Sequence, residues 1–465
     1  MKTSIVIATF NKLDYTKQCI ESIRQYTAAG SYEIIVVDNH STDGSLDWLK
    51  AQPDIRFIAN ENNLGFPIAC NQGMEIAVGD NILLLNNDTI VTARWLDNLL
   101  KCLYSREEIG AVGPITNYSI NEQAVPVTYK TMDEMHQFAD RCNQSNSSEW
   151  EERLTLVGFC VVFKKPVIDK IGLLDERFSP GNYEDDDYSY RIRQAGFEMM
   201  LCKDTYIHHY GSTSFRDNVA QYTKLLQTNQ AKFIEKWGFD PEVSRLVHTE
   251  LLDLMSLPEG GPFKVLELGC GSGGTLLRFK TRYPYAKCYG MEFNPNMAAF
   301  ASLVADVHVG GLQDVGSKFA EGFFDAVILG ETFLQSHSFI QALQTIKPLL
   351  KDNGELLASI PHLQHYSIVR NMINGTISRE QMHAVTLSEM DGGFKQVGFS
   401  NVYITKYKLP MPEQEKQWLQ QLRKMASTDL HEFWEVKTFF VRAKATARSS
   451  RVGKMVEQLL NDQDK

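Results

Sequence analysis

Residues 33–45 read EIIVVDNHSTDGS. An unbroken apolar run, Ile34 to Val37, stops at once on Asp38 and Asn39. That is the pattern of a short strand buried on both faces. The same pattern stands on either side of it. Residues 3–11 read TSIVIATFN, residues 56–60 RFIAN, and residues 81–88 NILLLNND. Between them lie helical stretches, one with Cys19, Ile23 and Tyr26 on one face and one at IACNQGMEIAV, residues 68–78. Continuous apolar strands separated by helices imply a parallel sheet covered on both sides. In such sheets ligands bind beyond the carboxyl ends of the strands. Those ends carry Thr9 and Asn11, then Asp38 and Asn39, then Asn86, Asn87 and Asp88. Asn and Asp also cap helices and form turns, so Ser41, Thr42 and Asp43 read equally well as a helix cap.

The strings TSIVIATFN, EIIVVDNHSTDGS, NENNLGFPIACNQGM and ILLLNNDTIV, in this order and spacing, resemble family 2 glycosyltransferases of the GT-A fold, in particular a bacterial rhamnosyltransferase-like group. The resemblance spans residues 2–240. It implies that Thr9, Asn11, Asp38 and Asn39 meet the nucleotide and that Gly65, Asn71 and Asn87 line the nucleotide-sugar pocket. Asp88 would face a divalent metal, Mg or Mn. Only one carboxylate survives of the family's Asp-x-Asp element, which here is Asn86-Asn87-Asp88. The chemistry explains the need for a cation, because a nucleoside diphosphate leaving group develops negative charge that a hard ion with oxygen ligands neutralises.

Further on, LTLVGFCVVFKK (154–165) reads as a strand, and SPGNYEDDDYSYRIRQAGF (179–197) opens a helix on four consecutive acids. Acids in a first helical turn complement the helix dipole. The resemblance adds a second use, matching the family's Glu-Asp-x-Asp element to Glu184, Asp185 and Asp187, with Asp185 as general base and Glu184 beside it. In DTYIHHYGSTSF (204–215), His208 or His209 would complete the metal shell or hold a phosphate. Residues 121–150 are polar and poorly periodic, which suggests an insertion or mobile loop over the acceptor site.

The turn LPEGGPF (257–263) marks a boundary. After it, FKVLELGCGSGG (263–274) delivers an apolar strand straight into glycines, which let backbone approach a ligand and a helix begin close by. A NAD-binding unit is the competing reading of such a loop. Glu267, two residues before the first glycine, and Glu292, ending the strand KCYGMEF where it can hold a ribose diol, favour a methyltransferase. VLELGCGSGG, YGMEFNP and KPLLKDNGELLASIPHLQHYSIVRNMINGT resemble class I S-adenosylmethionine methyltransferases. The resemblance covers residues 262–445 and implies a Rossmann-like fold. Gly269, Gly271 and Gly273 would form the cofactor loop, Glu292 would bind the ribose, and Gln313 and Asp314 would lie at the adenine. The subgroup's Leu-Glu-His element is altered in GETFLQSHSF, where Gln335 replaces the Glu. Glu331, His337 and His383 are therefore candidate catalytic groups that can equally be rim residues.

The chain has 465 residues, about three times the usual length of one domain. The expected division is an α/β glycosyltransferase domain at 1–245, a linker at 246–261, an α/β methyltransferase domain at 262–445 and a helical tail at 446–465. In that tail Met455, Val456, Leu459 and Leu460 share a face. A net charge of −10 argues against a nucleic-acid partner held by bulk positive charge. Eight scattered cysteines without a CxxC pair argue for reduced thiols in the cytosol. Cys270 reads as a packing residue. No stretch approaches a membrane span, and the apolar run Ile5 to Ala8 is too short for a signal-peptide core. The expectation is a bifunctional cytoplasmic enzyme, with room for peripheral contact at the inner membrane face. It takes a nucleotide-sugar donor, a glycan, glycolipid or glycoprotein acceptor, and S-adenosylmethionine. The alternative keeps the sugar transfer and makes the second half a binding or scaffolding module.

Overall fold

The computed structural model describes residues 1–211, 219–258, 260–330, 338–378, 380–425 and 433–446. They fall into two compact units, Met1–Arg245 and Leu246–Lys465. The expected tail helix beyond 446 lies outside the described residues, as do Glu331, Gln335 and His337.

The first unit is built on strands β1 (Thr3–Thr9), β2 (Tyr32–Asp38), β3 (Ile55–Ala59), β4 (Asn81–Leu85), β5 (Thr89–Ile90), β6 (Ile109–Thr116), β7 (Trp150–Arg153), β8 (Cys160–Lys164) and β9 (Glu198–His209). Their order is β3-β2-β1-β4-β8-β6-β9-β5, with β7 on β9. The parallel expectation holds across β3, β2, β1 and β4. Beyond them β8 runs antiparallel to both β4 and β6, so the whole sheet is mixed. Strand β1 explains why the runs are uninterrupted. Ile5 and Ile7 pack with Cys19, Ile20 and Ile23 of the helix Leu13–Tyr26 on one face, while Val6 packs with Cys70 and Met74 of the helix Phe66–Ile76 on the other. Strand order reverses at β1, so the crevice past its carboxyl end lies between the ends of β2 and β4.

Residues 121–150 are not a mobile loop. Thr131 caps the helix Met132–Cys142 by accepting from the Glu134 amide, and the Glu134 carboxylate accepts from Lys130 N at 2.7 Å. Asn143 then ties the segment to β9. Its side chain donates to Thr92 Oγ1 at 2.9 Å and accepts from Tyr206 N at 2.6 Å. The Thr131-x-x-Glu134 spacing is a capping-box signal, outweighed in the sequence by the polar stretch around it.

The second unit has strands β10 (Lys264–Leu268), β11 (Lys287–Glu292), β12 (Asp306–Val309), β13 (Phe324–Leu329), β14 (Leu350–Pro361), β15 (Phe399–Lys408) and β16 (Val436–Ala445), ordered β12-β11-β10-β13-β14-β16-β15. The first five are parallel, and β16 runs antiparallel to both its neighbours. Order reverses between β10 and β13, which puts the crevice over the glycine loop. Residues 246–261 are not a free linker. The helix Thr249–Leu254 buries Leu251 and Leu252 and packs on β14 and β16, and Arg442 Nη1 donates to Leu254 O at 2.9 Å.

Gly73 sets the distance between the helix Phe66–Ile76 and β1, because a Cβ there would lie 2.4 Å from Val6 Cγ1. Alanine gains about 1 kcal/mol of helix propensity, against about 1–3 kcal/mol for overpacking beside a central strand that cannot yield. Gly73→Ala is expected to lower the urea midpoint, with a net loss of up to about 2 kcal/mol.

Candidate active sites

At the carboxyl edge of the first sheet the polar residues are bonded to one another. Thr9 Oγ1 lies 3.0 Å from Thr16 Oγ1, and Asn87 Nδ2 donates to both hydroxyls. Asn11 takes a left-handed φ of 57° and its side chain accepts from Thr42 N at 2.8 Å. Asp38 is fully buried. One carboxylate oxygen accepts from Ser41 N at 3.1 Å, and the other, Oδ1, is buried without a partner. An orphaned carboxylate oxygen at a strand end suits a donor such as a ribose hydroxyl or a base N–H.

Asn39 Nδ2 donates to Gly65 O at 3.1 Å. Gly65 has φ 90°, and a Cβ there would meet Pro180 Cα at 2.5 Å. This close approach joins the β2 end to the segment leading into the acidic helix. Asn71, expected in the pocket, is put to another use. Its side chain holds the backbone of Leu174 at both amide and carbonyl, and reaches Glu176.

The acids of the helix Glu184–Gln194 have four different environments. Asp187 is fully buried between Arg191 Nε at 2.9 Å, Lys236 Nζ at 2.5 Å and Trp237 Nε1 at 2.9 Å. Asp186 faces Arg245 at 3.2 Å, yet burial and the neighbouring Asp185 push its pKa up to about 8. Asp185, the least enclosed of the four, accepts from Gly158 N at 3.1 Å and Asp186 N at 3.0 Å, and burial raises its pKa. Glu184 is buried with Oε2 unpartnered, and burial followed by the Asp185 charge lifts it well above the usual carboxylate range.

His208 and His209 part company, because successive residues of a strand face opposite sides. His208 turns toward Tyr129. Its Nδ1 meets Tyr129 Oη at 2.6 Å, Nε2 is buried without a partner, and burial lowers its pKa to about 4. His209 Nε2 stands 3.2 Å from Asp88 Oδ1. Its Nδ1 lies 2.9 Å from the Tyr118 carbonyl, which can only accept, so Nδ1 carries a proton. His209 Nε2 thus faces a carboxylate, with the Asn86 amide nitrogen 3.5 Å away. A carboxylate and a ring nitrogen at that distance hold a proton or a cation between them, and with Nε2 unprotonated the pair fits a divalent ion. Among the described residues no group of three or more candidate ligands surrounds it, so a bound ion would take further ligands from outside these residues.

Sequence reasoning missed the residues that gather these groups. Asn117 clamps His209, donating to its carbonyl and accepting from its amide, both at 2.9 Å. Phe159 stacks on the His209 ring at 5.2 Å and accepts from Asn86 N at 2.8 Å. Its neighbour Gly158 holds Asp185. Consecutive Cα atoms are about 3.8 Å apart, so Asp185 and the Asp88–His209 pair are fixed to one short piece of backbone. No periodicity or cap signals such contacts.

In the second unit Gly269, Gly271 and Gly273 have φ of 73°, 53° and 90°, the region where glycine alone is at ease. Gly271 N donates to Glu292 Oε2 and Asn294 N to Glu292 Oε1, both at 2.9 Å. Burial raises the pKa of Glu292 and pushes Glu267, whose Oε2 has no partner, up to about 8. Past β12, Asp314 accepts from Gly311 N at 2.9 Å and Gln313 is exposed. A glycine cradle, two buried carboxylates and a polar turn follow one another along one edge. This donor and acceptor set fits a ligand with a ribose diol and a cationic end. His383 is exposed on a 3₁₀ turn, and Val385 just after it bonds Pro361 O at 2.9 Å. The dinucleotide reading fares poorly, because its second half requires further parallel strands and β16 with β15 forms an antiparallel pair instead.

Residues 4–172 match the family described as glycosyl transferase family 2, and residues 266–358 match a methyltransferase domain. The chain is 26% identical over 227 residues to the O-antigen biosynthesis protein RfbC of Myxococcus xanthus, covering 46% of this chain and 18% of that protein. It is 38% identical over 102 residues to the poly(ribitol-phosphate) beta-glucosyltransferase of Bacillus spizizenii, covering 21% and 16%. The first three curated relatives are spanned over only 18%, 24% and 39% of their lengths. Similar solved structures include a mannosyltransferase from Pyrobaculum calidifontis in complex with GDP-Man and Mn2+, at 19% identity and TM-score 0.39 over 52% of this chain and 66% of that one. A SAM dependent methyltransferase from Archaeoglobus fulgidus matches at 17% identity and TM-score 0.33 over 46% and 98%.

The acids make separable predictions for stability. Asp187→Asn leaves cations in the interior short of a partner and is expected to cost about 3 kcal/mol, read as a lower melting temperature. Glu184 has its pKa raised by folding, so its destabilising effect grows as pH rises above the ordinary carboxylate range. Glu184→Gln is expected to raise the melting temperature, by more at pH 8 than at pH 5. An equal gain at both values contradicts the assignment.

Proposed function

We propose that this chain, which joins a family 2 glycosyltransferase domain to a methyltransferase domain, is a bifunctional enzyme of glycan assembly. The first domain transfers a sugar from a UDP- or dTDP-activated donor to a hydroxyl of a glycan, glycolipid or glycoprotein acceptor. The second methylates a hydroxyl with S-adenosylmethionine, on the same sugar. The setting is bacterial surface or flagellar glycan synthesis in the cytoplasm, at the inner face of the membrane. Among the described residues no helix is long and apolar enough to cross a membrane.

The observation that supports this reading is the junction of Gly158 and Phe159, which ties Asp185 and the Asp88–His209 pair to adjacent residues of one stretch of backbone. Asp185 takes the proton of the acceptor hydroxyl as that oxygen attacks the anomeric carbon and the diphosphate departs from the opposite face, which inverts the centre. Its raised pKa suits a base working near neutrality. Asp38 and Asn39 hold the nucleoside, and Asp88 with His209 would hold Mg or Mn. When bound, that ion neutralises charge on the leaving diphosphate. In the second domain Glu292 would grip a ribose diol and Gln313 with Asp314 an adenine, while the loop of Gly269, Gly271 and Gly273 admits the cofactor's backbone-close portion. S-adenosylmethionine supplies an electrophilic methyl group there.

Asp185→Asn is expected to reduce sugar transfer by about 100-fold or more, with calorimetric nucleotide affinity unchanged. Transfer within about tenfold of wild type would end the assignment of the base. Gly271→Asp forces a side chain into left-handed backbone against Glu292, and is expected to abolish S-adenosylmethionine binding in the same calorimeter. Unchanged binding favours the scaffolding alternative.

A further inference from the structure

His362 and His365, at the carboxyl end of β14, are used by neither reaction as described so far. Both are more than nine-tenths buried, with exposures of 0% and 4%. His362 Nδ1 lies 3.1 Å from Val436 O, and His365 Nδ1 lies 2.7 Å from Ser367 Oγ. In each ring Nε2 is buried without a hydrogen-bond partner. The Val436 carbonyl can only accept, so the proton of His362 sits on Nδ1 and its Nε2 presents a lone pair. The side chain of Gln364 and the backbone of Phe433 are also within hydrogen-bonding range of the His362 ring. Burial keeps both imidazoles below their usual pKa, His365 at about 4, so both are neutral at pH 7.

Two buried ring nitrogens within four residues call for partners. Their place says which. The adenosine-side groups Glu292, Gln313 and Asp314 lie at the ends of β11 and β12, on one side of β10. The histidines lie at the end of β14, on the other side, with only β13 between. Neighbouring strands are about 4.8 Å apart, so the β14 end is about 10 Å from the glycine loop. A cofactor laid over β11 and β12 turns its reactive end toward this corner. The exposed His383 stands on the adjoining turn and has no such enclosure.

We propose that His365 Nε2 is the base for methyl transfer and that His362 Nε2 accepts from a neighbouring hydroxyl of the same acceptor, so that the second site takes a sugar diol. This rests on the methyl-transfer reading of the second domain. As the acceptor oxygen forms its bond to the methyl carbon, its proton passes to His365 Nε2. The carbon–sulfur bond breaks, its electron pair stays on sulfur, and the sulfonium becomes a neutral thioether. Ser367 steadies the resulting imidazolium at Nδ1. The ionisable groups facing His365 are His362, Lys437 and Tyr366.

The test uses the full chain and a panel of methyl glycosides of rhamnose, glucose, galactose and mannose. His365→Asn keeps an amide nitrogen where Nδ1 stood and removes Nε2. It is expected to bind S-adenosylmethionine with a Kd within about twofold of wild type and to lose about 100-fold or more in kcat for methylation. His362→Asn is expected to raise KM for the glycoside more than it lowers kcat. Independently of any variant, nitrogen NMR of the wild type at pH 7 is expected to find Nε2 of both rings unprotonated. A His365→Asn kcat within threefold of wild type, or a protonated His365 Nε2, overturns the proposal. A wild type that binds the cofactor and methylates none of the panel overturns the sugar-diol assignment. Absence of cofactor binding by the wild type instead fells the methyl-transfer reading itself.

Discussion

Gly158 gives its amide to Asp185, and the next residue, Phe159, lays its ring on His209 and takes the Asn86 amide. The chemistry assigned to the first domain depends on that junction. Asp185 belongs to a helix, His209 to β9 and Asp88 to the turn after β4. They come from three distant stretches, and two adjacent residues on the way into β8 bring them together. The contact at Gly65 does the same for the nucleotide side, where only a hydrogen atom fits against Pro180.

Four acids in one helical turn pose a problem of charge. The helix dipole contributes about 0.3–1 kcal/mol per favourable charge, whereas burying an unpaired carboxylate costs several kcal/mol. The dipole therefore cannot be what keeps them there. Cations from the helix Val219–Trp237 and from Arg245 neutralise Asp187 and Asp186. Two backbone amides hold Asp185 without neutralising it. Glu184 lacks a partner for Oε2. The four environments differ within one helical turn, and the differences follow from which partner each acid meets.

Much of this was legible in the chain. The apolar runs ending on Thr9, Asp38 and Asn86 predicted parallel strands and a polar edge, because a strand buried on both faces has no room for polar residues until it leaves the sheet. The glycines of residues 269–273 announced backbone that can approach a ligand, and three of them take left-handed φ that other residues resist. The helix Met132–Cys142 was missed although its cap was written at Thr131 and Glu134. The span 246–261 was taken for a linker although Leu251 and Leu252 were there to bury.

The sequence by itself determined the strands, the edge at which they end and the kinds of group placed there, since these follow from local periodicity and backbone preference. Only the tertiary structure decided which of two adjacent histidines turns to Asp88, which two of four consecutive acids pair with cations, and which histidines of the second domain are enclosed with Nε2 unpartnered. The physical reason is the same in each case. A side chain's protonation and reach are set by partners such as Tyr118, Gly158, Lys236 and Val436, which lie tens of residues away along the chain and meet it only when the sheets form.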